Sequence, residues 1–364
     1  MNHDRLHVAS RKGLFTYTRE KNGWRHSNTA FLGSPVALSL VSNDGRTVFA
    51  ALNLGHFGTK LHRSDDGGTT WTELEPPKYP KVEPAPESAG EKEKAPALVG
   101  IWSLAWTGTP NGLWCGTAPG ALFRSDDNGA TWTMNDALWD HPDRKKWFGG
   151  GTVDPAMHSI LVDPRDANRV AVGVSCGGVW RTSDGGKSWR VGSQGMRAAF
   201  MPPDMQFDPA IQDPHMVVQC PAAPDVFWTQ HHNGIFRSTD NLDSWHEITA
   251  PVSSFGFAVA VHPKDPDTAW FVPAKKDEDR IPVDGKILVN RTRDGGKTFD
   301  QLRGGLPQEN AFDLIYRHGL AIDDTGTRLA MGSTTGSLWV SENGGEHWTL
   351  LSAHLPPIHA VQFG

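Results

Sequence analysis

The sequence predicts an all-β chain closed into a seven-bladed β-propeller, and three observations carry that reading. An eight-residue turn motif recurs six times, at intervals of 61, 57, 56, 54 and 49 residues. The composition holds 15 Trp and 39 Gly beside three Tyr, a balance that a Trp- and Gly-bearing repeat explains. The two ends of the chain carry strand-like segments that complete one another. A period near 50 residues suits a four-stranded sheet, which buries its faces only by stacking against neighbouring sheets around an axis.

The motif is Ser/Thr-x-Asp-x-Gly-x-Ser/Thr-Trp. It starts at Ser64 (SDDGGTTW), Ser125 (SDDNGATW) and Thr182 (TSDGGKSW). Degenerate copies start at Ser238 (STDNLDSW, with Leu242 for Gly), Thr292 (TRDGGKTF, with Phe299 for Trp) and Ser341 (SENGGEHW, with Asn343 for Asp). Each follows a run such as GALFRS, GVWRTS, GIFRST or GSLWVS, which reads as a strand ending in a tight turn. Within such a turn the carboxylate accepts backbone N–H groups, Gly supplies φ > 0, and the aromatic packs between blades. The motif is therefore structural in every copy.

A seventh blade is split. LHVAS, GLFTYT and GWRHS supply three strands, with a lost motif between Thr16 and Trp24, and nothing before Leu6 can be their innermost strand. The run from Ile358 to Phe363 can. Pairing the ends removes open sheet edges. Residues 1–364 form one domain on this reading, with blade 7 built from about 1–30 plus 357–364. Inner strands then begin near Val36, Trp102, His158, His215, Phe257, His318 and His359. The segment from about 76 to 97, rich in Pro, Glu and Lys, cannot bury a core and reads as a mobile loop, with a lid role open.

These motifs are Asp boxes, and along essentially its whole length the chain resembles the Asp-box (bacterial neuraminidase repeat, BNR) propellers, a group that includes sialidase-like and BNR-repeat glycosyl hydrolases. The resemblance implies the propeller fold. Sialidase activity would need an N-terminal Arg-Ile-Pro, a Tyr nucleophile paired with Glu, and an Asp acid/base. The first strands offer Arg11-Lys12-Gly13 instead. Tyr17 falls in an outer strand and Tyr79 in the charged loop, leaving a Tyr316/Glu309/Arg317 set that matches no motif. The expectation is a sialidase-like propeller that is not a true sialidase.

Aligning the inner strands gives HSILVDP, HMVVQCP, FAVAVHP, HGLAIDD and HAVQFG, so His158, His215, His318 and His359 share one register. Sixteen His in the chain would put about 0.3 His at seven positions by chance. Inner strands line the channel, and one register is one height. The expectation is a ring of imidazoles holding a divalent transition metal, Fe, Mn, Zn or Cu, the alternative being a hydrated channel or a bound anion. In this the arrangement looks like propeller enzymes with an axial ion, the carotenoid-cleaving oxygenases and oligogalacturonate lyases, whose sequence motifs are absent here.

Chain direction places the strand 2–3 turns and the blade links on the face where inner strands begin, and the Asp boxes on the other. The long links Met201–His215 and Gly305–His318 therefore reach the ring, as do QHHNG, KKDEDR, NLGHFG and SCGG. From them come the catalytic candidates Glu278, Glu309, His231, Arg280 and Arg317. Glu278 and Glu309 are carboxylates for acid/base work or for orienting an imidazole. Arg280 and Arg317 suit a substrate carboxylate, Arg317 pairing with Asp313 as the plain alternative. Of His231 and His232 only one can face the channel. Cys176 reads as a small buried thiol.

Thirty-five Lys+Arg against 41 Asp+Glu, a net charge of −6 without a long run of either sign, exclude a phosphate-backbone partner. Three scattered cysteines are no disulfide framework. With no basic-then-apolar N-terminal segment and no 18-residue apolar stretch, the expectation is a cytoplasmic protein away from membranes and nucleic acid, a monomer or weak oligomer taking a small-molecule substrate in the channel mouth. The leading functional expectation is a metal-dependent lyase, hydrolase or oxygenase acting on a small anionic or saccharide-like substrate. The alternatives are a metal-independent BNR-repeat glycoside hydrolase and a non-catalytic binding or assembly scaffold.

Overall fold

Seven four-stranded antiparallel sheets stand around one axis in the computed structural model, which describes residues 4–80, 96–150 and 153–364. The inner strands are Val36–Val41, Gly100–Trp106, Met157–Val162, Pro214–Cys220, Gly256–Val261, Leu320–Ile322 and Ile358–Phe363, heading blades 1 to 7. Each touches the next, and the seventh touches the first, so the ring is closed. Of the expected loop at about 76–97, residues 81–95 lie outside the described residues.

Blade 7 is split as its sequence requires. Ile358–Phe363 pairs antiparallel with Arg5–Ser10, placing Val361 opposite Val8 and Phe363 opposite Leu6. All four side chains are buried. At roughly 1.5–3 kcal/mol for each large apolar side chain taken from water, this seam is a main contributor to closure.

Tryptophans fill the spaces between blades. Trp114, Trp180, Trp228, Trp270 and Trp339, all on second or third strands, are almost wholly buried. The box Trp residues extend the same packing. Trp245 is buried and its indole N–H donates to the Gly192 carbonyl of the preceding blade at 2.7 Å.

Each Asp box closes its own turn. Asp66 accepts the Ser64 and Thr70 hydroxyls at 2.7 Å each and the Thr70 N–H at 2.8 Å. The degenerate copies keep this geometry. Leu242, standing where Gly does elsewhere, adopts φ 68° and buries its side chain, so packing offsets a strain of about 1–3 kcal/mol. Asn343 accepts from Ser341 Oγ at 2.9 Å and His347 N at 3.0 Å, but has no hydroxyl at the fourth following position.

One irregularity recurs at the other end of the sheets. The pairing register slips between Val36 and Leu38, Ile101 and Ser103, Met157 and Ser159, Pro214 and Met216, and Gly256 and Val259, and opposite His359 in blade 7. Ala37, Trp102, His158, His215, Phe257 and His359 thus stand at bulges, which turn side chains out of the pleat. In blade 6 a single 3-10 turn, Arg317–Gly319, carries His318 at the corresponding place.

Candidate functional site

The shared histidine register is therefore a shared break in the inner strands at the channel mouth, a bulge for His158, His215 and His359 and a 3-10 turn for His318. Each imidazole there is held by a neighbour. His215 Nδ1–H donates to Gly256 O of the next blade at 2.7 Å, and His359 Nδ1–H donates to Val36 O of the next blade at 2.9 Å. His318 Nε2–H donates across the channel to His158 O at 2.8 Å. The His158 Nδ1 lies 2.8 Å from Ser159 Oγ, while its buried Nε2 has no hydrogen-bond partner among the described residues. Burial lowers the basicity of His158, His215 and His318, keeping them neutral.

Arg317 and His318 together form a bar across the mouth. Arg317 Nη2 reaches Ser175 Oγ of blade 3 at 3.2 Å. Two cavities open on either side of this bar, sharing Trp102, Tyr316 and Arg317 as their common wall. The cavity over blades 6, 7, 1 and 2, about 640 Å³, is lined by Arg11, Asn53, His318 and His359 among mostly apolar groups. The cavity over blades 3 to 5, about 530 Å³, holds the denser chemistry.

Its floor is Asp213, from the long link before blade 4. The carboxylate is buried and its Oδ1 accepts the Ser175 hydroxyl at 3.2 Å and the Cys176 N–H at 3.1 Å. Cys176 reaches that position at φ 49°, a left-handed conformation that aims its N–H at the acid. The other oxygen, Oδ2, lies 3.5 Å from His215 Nε2 and 3.4 Å from His232 Nδ1. Among the described residues these three form the only group of three or more His, Cys, Asp or Glu side chains whose ligand atoms all lie within 4.8 Å of one another.

The walls are aromatic and cationic. Phe257 stacks on the His215 ring at a centroid distance of 4.5 Å, and Phe148, Phe200 and Trp102 complete the apolar lining. Arg280 lies over Phe257, pairs with Asp277 and stands 3.4 Å from Tyr316 Oη. Arg317 stacks near Trp102, its carbon centre 5.2 Å from the ring, has no acidic partner among the described residues, and leaves its Nε without an acceptor.

The catalytic candidates separate on this geometry. Glu278, Arg280 and Arg317 line the 530 Å³ cavity, Glu278 at its rim with a side chain 76 % exposed. Glu309 is exposed on its link and lines neither cavity. His231 is buried against Phe236 with both ring nitrogens facing backbone N–H groups, of Asp213 and Asn233, and a neutral ring can accept only one. Burial lowers it to about 3. It is His232 that faces the cavity. Asp313 accepts Ser333 and Thr335 hydroxyls and does not meet Arg317. The four ring histidines share a height without their ring nitrogens converging on one point, because each is turned toward a different carbonyl or hydroxyl. Sequence reasoning missed Asp213, although it stands two residues before His215 in a link whose length had marked it, and i, i+2 side chains on extended chain share a side.

A family model described as sortilin, neurotensin receptor 3, matches residues 120–287. A probable oligoxyloglucan-reducing end-specific xyloglucanase of Neosartorya fischeri is 24% identical over 291 residues, 70% of this chain and 32% of its own length, so the chain spans about a third of that relative. The solved GH74 xyloglucanase from Xanthomonas campestris superposes with a TM-score of 0.65 at 18% identity, over 99% of this chain and 52% of that one. The structure of YCF48 bound to D1 peptide superposes with a TM-score of 0.52 at 14% identity, over 87% and 82%. Six recurrent boxes, seven closed blades and these likenesses give one conclusion: the chain is a seven-bladed β-propeller built on Asp-box turns.

Proposed function

We propose that the chain is a glycoside hydrolase-like propeller that takes a saccharide in the mouth cavity over blades 3 to 5. The observation that carries this reading is the lining of that cavity, where Trp102, Phe148 and Phe200 offer aromatic surface for sugar rings beside the carboxylates Asp277 and Glu278. Aromatic faces with a few placed polar groups suit a saccharide, and glycoside hydrolysis needs two carboxyl groups flanking one bond. The xyloglucanase relatives support the substrate class. The hydrolytic step on this reading runs through carboxyl groups and needs no metal. Asp213 is engaged by four neighbours and is the least free to exchange a proton. Arg280 and Arg317 hold an anionic or hydroxyl-rich ring against the aromatic wall.

Release of reducing ends from xyloglucan oligosaccharides and from a panel of neutral and acidic oligosaccharides tests it. Cleavage that falls by about 10²-fold or more in Glu278→Gln or Asp277→Asn is the expected result. A chain that neither cleaves nor retains any saccharide in the panel overturns the reading.

One observation favours a second reading, a docking face for a partner segment. The exposed Leu32, Phe57, Phe200, Phe207, Val252 and Phe312 all stand in links or turns of the mouth face. Retention of an apolar peptide, lost on Phe207→Ser with Phe312→Ser, would select that reading.

A further inference from the structure

Two distances at the floor of the cavity are long for a hydrogen-bonded cluster. His215 Nδ1–H is committed to the Gly256 carbonyl at 2.7 Å, since a carbonyl can only accept. A neutral His215 therefore turns the bare lone pair of Nε2 toward Asp213 Oδ2 at 3.5 Å, an acceptor facing an acceptor. A proton between them would give a charge-assisted pair, for which about 2.7–2.9 Å is normal, and both this contact and the 3.4 Å contact to His232 Nδ1 are longer. Two ligands at roughly 2.1 Å from one ion in tetrahedral arrangement stand about 3.4 Å apart. The spacing is that of ligands around an ion.

The surroundings fit the same reading. Metal-bound imidazoles donate their second N–H to a carbonyl or carboxylate, and bound carboxylates are themselves hydrogen-bonded. His215 does the first through Gly256, and Asp213 does the second through Ser175 and Cys176. Gly150 keeps the space above open, because a Cβ there would collide with Cys176 Sγ and stand 3.6 Å from Asp213 Oδ2.

We infer that Asp213 Oδ2, His215 Nε2 and His232 Nδ1 bind one divalent transition-metal ion, of the Zn, Fe, Mn or Co class, at the floor of the cavity over blades 3 to 5. Two imidazoles and a carboxylate suit borderline ions rather than Ca or Mg, and three protein ligands leave positions open toward the cavity for water or a ligand oxygen. The site uses one member of the His ring. It stands independently of saccharide hydrolysis, since occupancy is read with no saccharide present.

The test is Co(II) binding to protein made without a His tag and stripped with chelator, followed by equilibrium dialysis and visible absorption. One equivalent is expected in the unmodified chain. Affinity falls by at least about tenfold in His232→Ala and in Asp213→Asn, and is unchanged in His359→Ala. His232 is only partly buried, so its variant tests the site even where Asp213→Asn fails to fold. Binding below about a tenth of an equivalent overturns the inference. So does full binding by His232→Ala, or a loss in His359→Ala, which would place the ion on the ring axis.

Discussion

The carboxylates at the two ends of the propeller axis are held in different ways. At the Asp-box end every box carboxylate is satisfied within its own turn: Asp127 accepts from Ser125 Oγ, Thr131 N and Thr131 Oγ1, and Asp294 does the same with Thr292 and Thr298. At the mouth, His158 Nε2 and Arg317 Nε have no partner among the described residues, Cys176 is held in a left-handed conformation, and two imidazoles face a carboxylate at 3.4 and 3.5 Å, long for a charge-assisted hydrogen bond. A buried polar atom left without a partner costs about 1–3 kcal/mol. Polar groups that close on themselves hold a fold together. Arg317, Asp213, His215 and His232 line a cavity, where a ligand can complete them.

The largest expected effect comes from acid. Burial, with Arg5 adding to it, lowers the His7 imidazole at the split-blade seam to about 4 from an ordinary 6.5. The unfolded chain therefore binds more protons than the folded one between those values, and stability falls as pH drops from about 6.5 to about 4, by on the order of 3 kcal/mol for this group. The boxes fail in a lower window. Hydrogen bonds from Thr131 and Ser125, and from Thr298 and Thr292, lower Asp127 and Asp294 to about 2 from 3.8, so their contribution is present above 3.8 and lost as pH falls toward 2. Denaturant midpoints across pH should show both declines, the upper one shallower in His7→Gln and not absent, because the buried His231 is lowered over the same window. An upper decline of unchanged depth in His7→Gln would show that the seam imidazole does not contribute to it.

Trp245→Ala comes next. It takes a buried indole from between blades 3 and 4 and orphans the Gly192 carbonyl, which should cost about 3–5 kcal/mol of stability. Ligand retention at the mouth should be unchanged in the molecules that fold. Asp240→Ala, removing one exposed box carboxylate with bonds to Ser238, Ser244 N and Ser244 Oγ, should cost roughly 1 kcal/mol, as the loss of a helix cap does. Either variant abolishing mouth binding at full folding would erase the division between the two ends.

The box end was legible because its chemistry is local: an Asp, its Ser/Thr and its Gly lie within seven residues, and no distant contact is needed to satisfy them. The split blade was legible for a related reason, an unmatched strand set at one end and a spare strand at the other. The mouth was legible in height but not in direction. His158, His215 and His359 shared a register because each sits at a bulge, yet whether a bulged ring points to the axis or to a neighbouring carbonyl depends on blades far away in sequence. Asp213 and His232 come from a blade link and a hairpin turn of one blade and are completed by Ser175 and Cys176 of another, so no single window of sequence contains the cluster.

Arg317→Met is the smallest effect in stability and the sharpest contrast with the box end. The guanidinium forms no direct ion pair among the described residues, burial lowers its basicity by more than the charge of nearby Asp213 raises it, and its Nε has no acceptor there. Its one hydrogen bond among the described residues is to Ser175, and Met retains most of the packing on Trp102 and Phe257. A group whose desolvation is not offset by a partner should cost stability in place, so its removal is expected to leave the unfolding free energy unchanged or raise it by up to about 1 kcal/mol. The same change should weaken retention of acidic saccharides by about tenfold or more, because a charge-assisted pair to the ligand is lost. A drop in stability of more than about 1 kcal/mol would show that Arg317 serves the fold as the box carboxylates do, and the bar across the mouth would then be a strut.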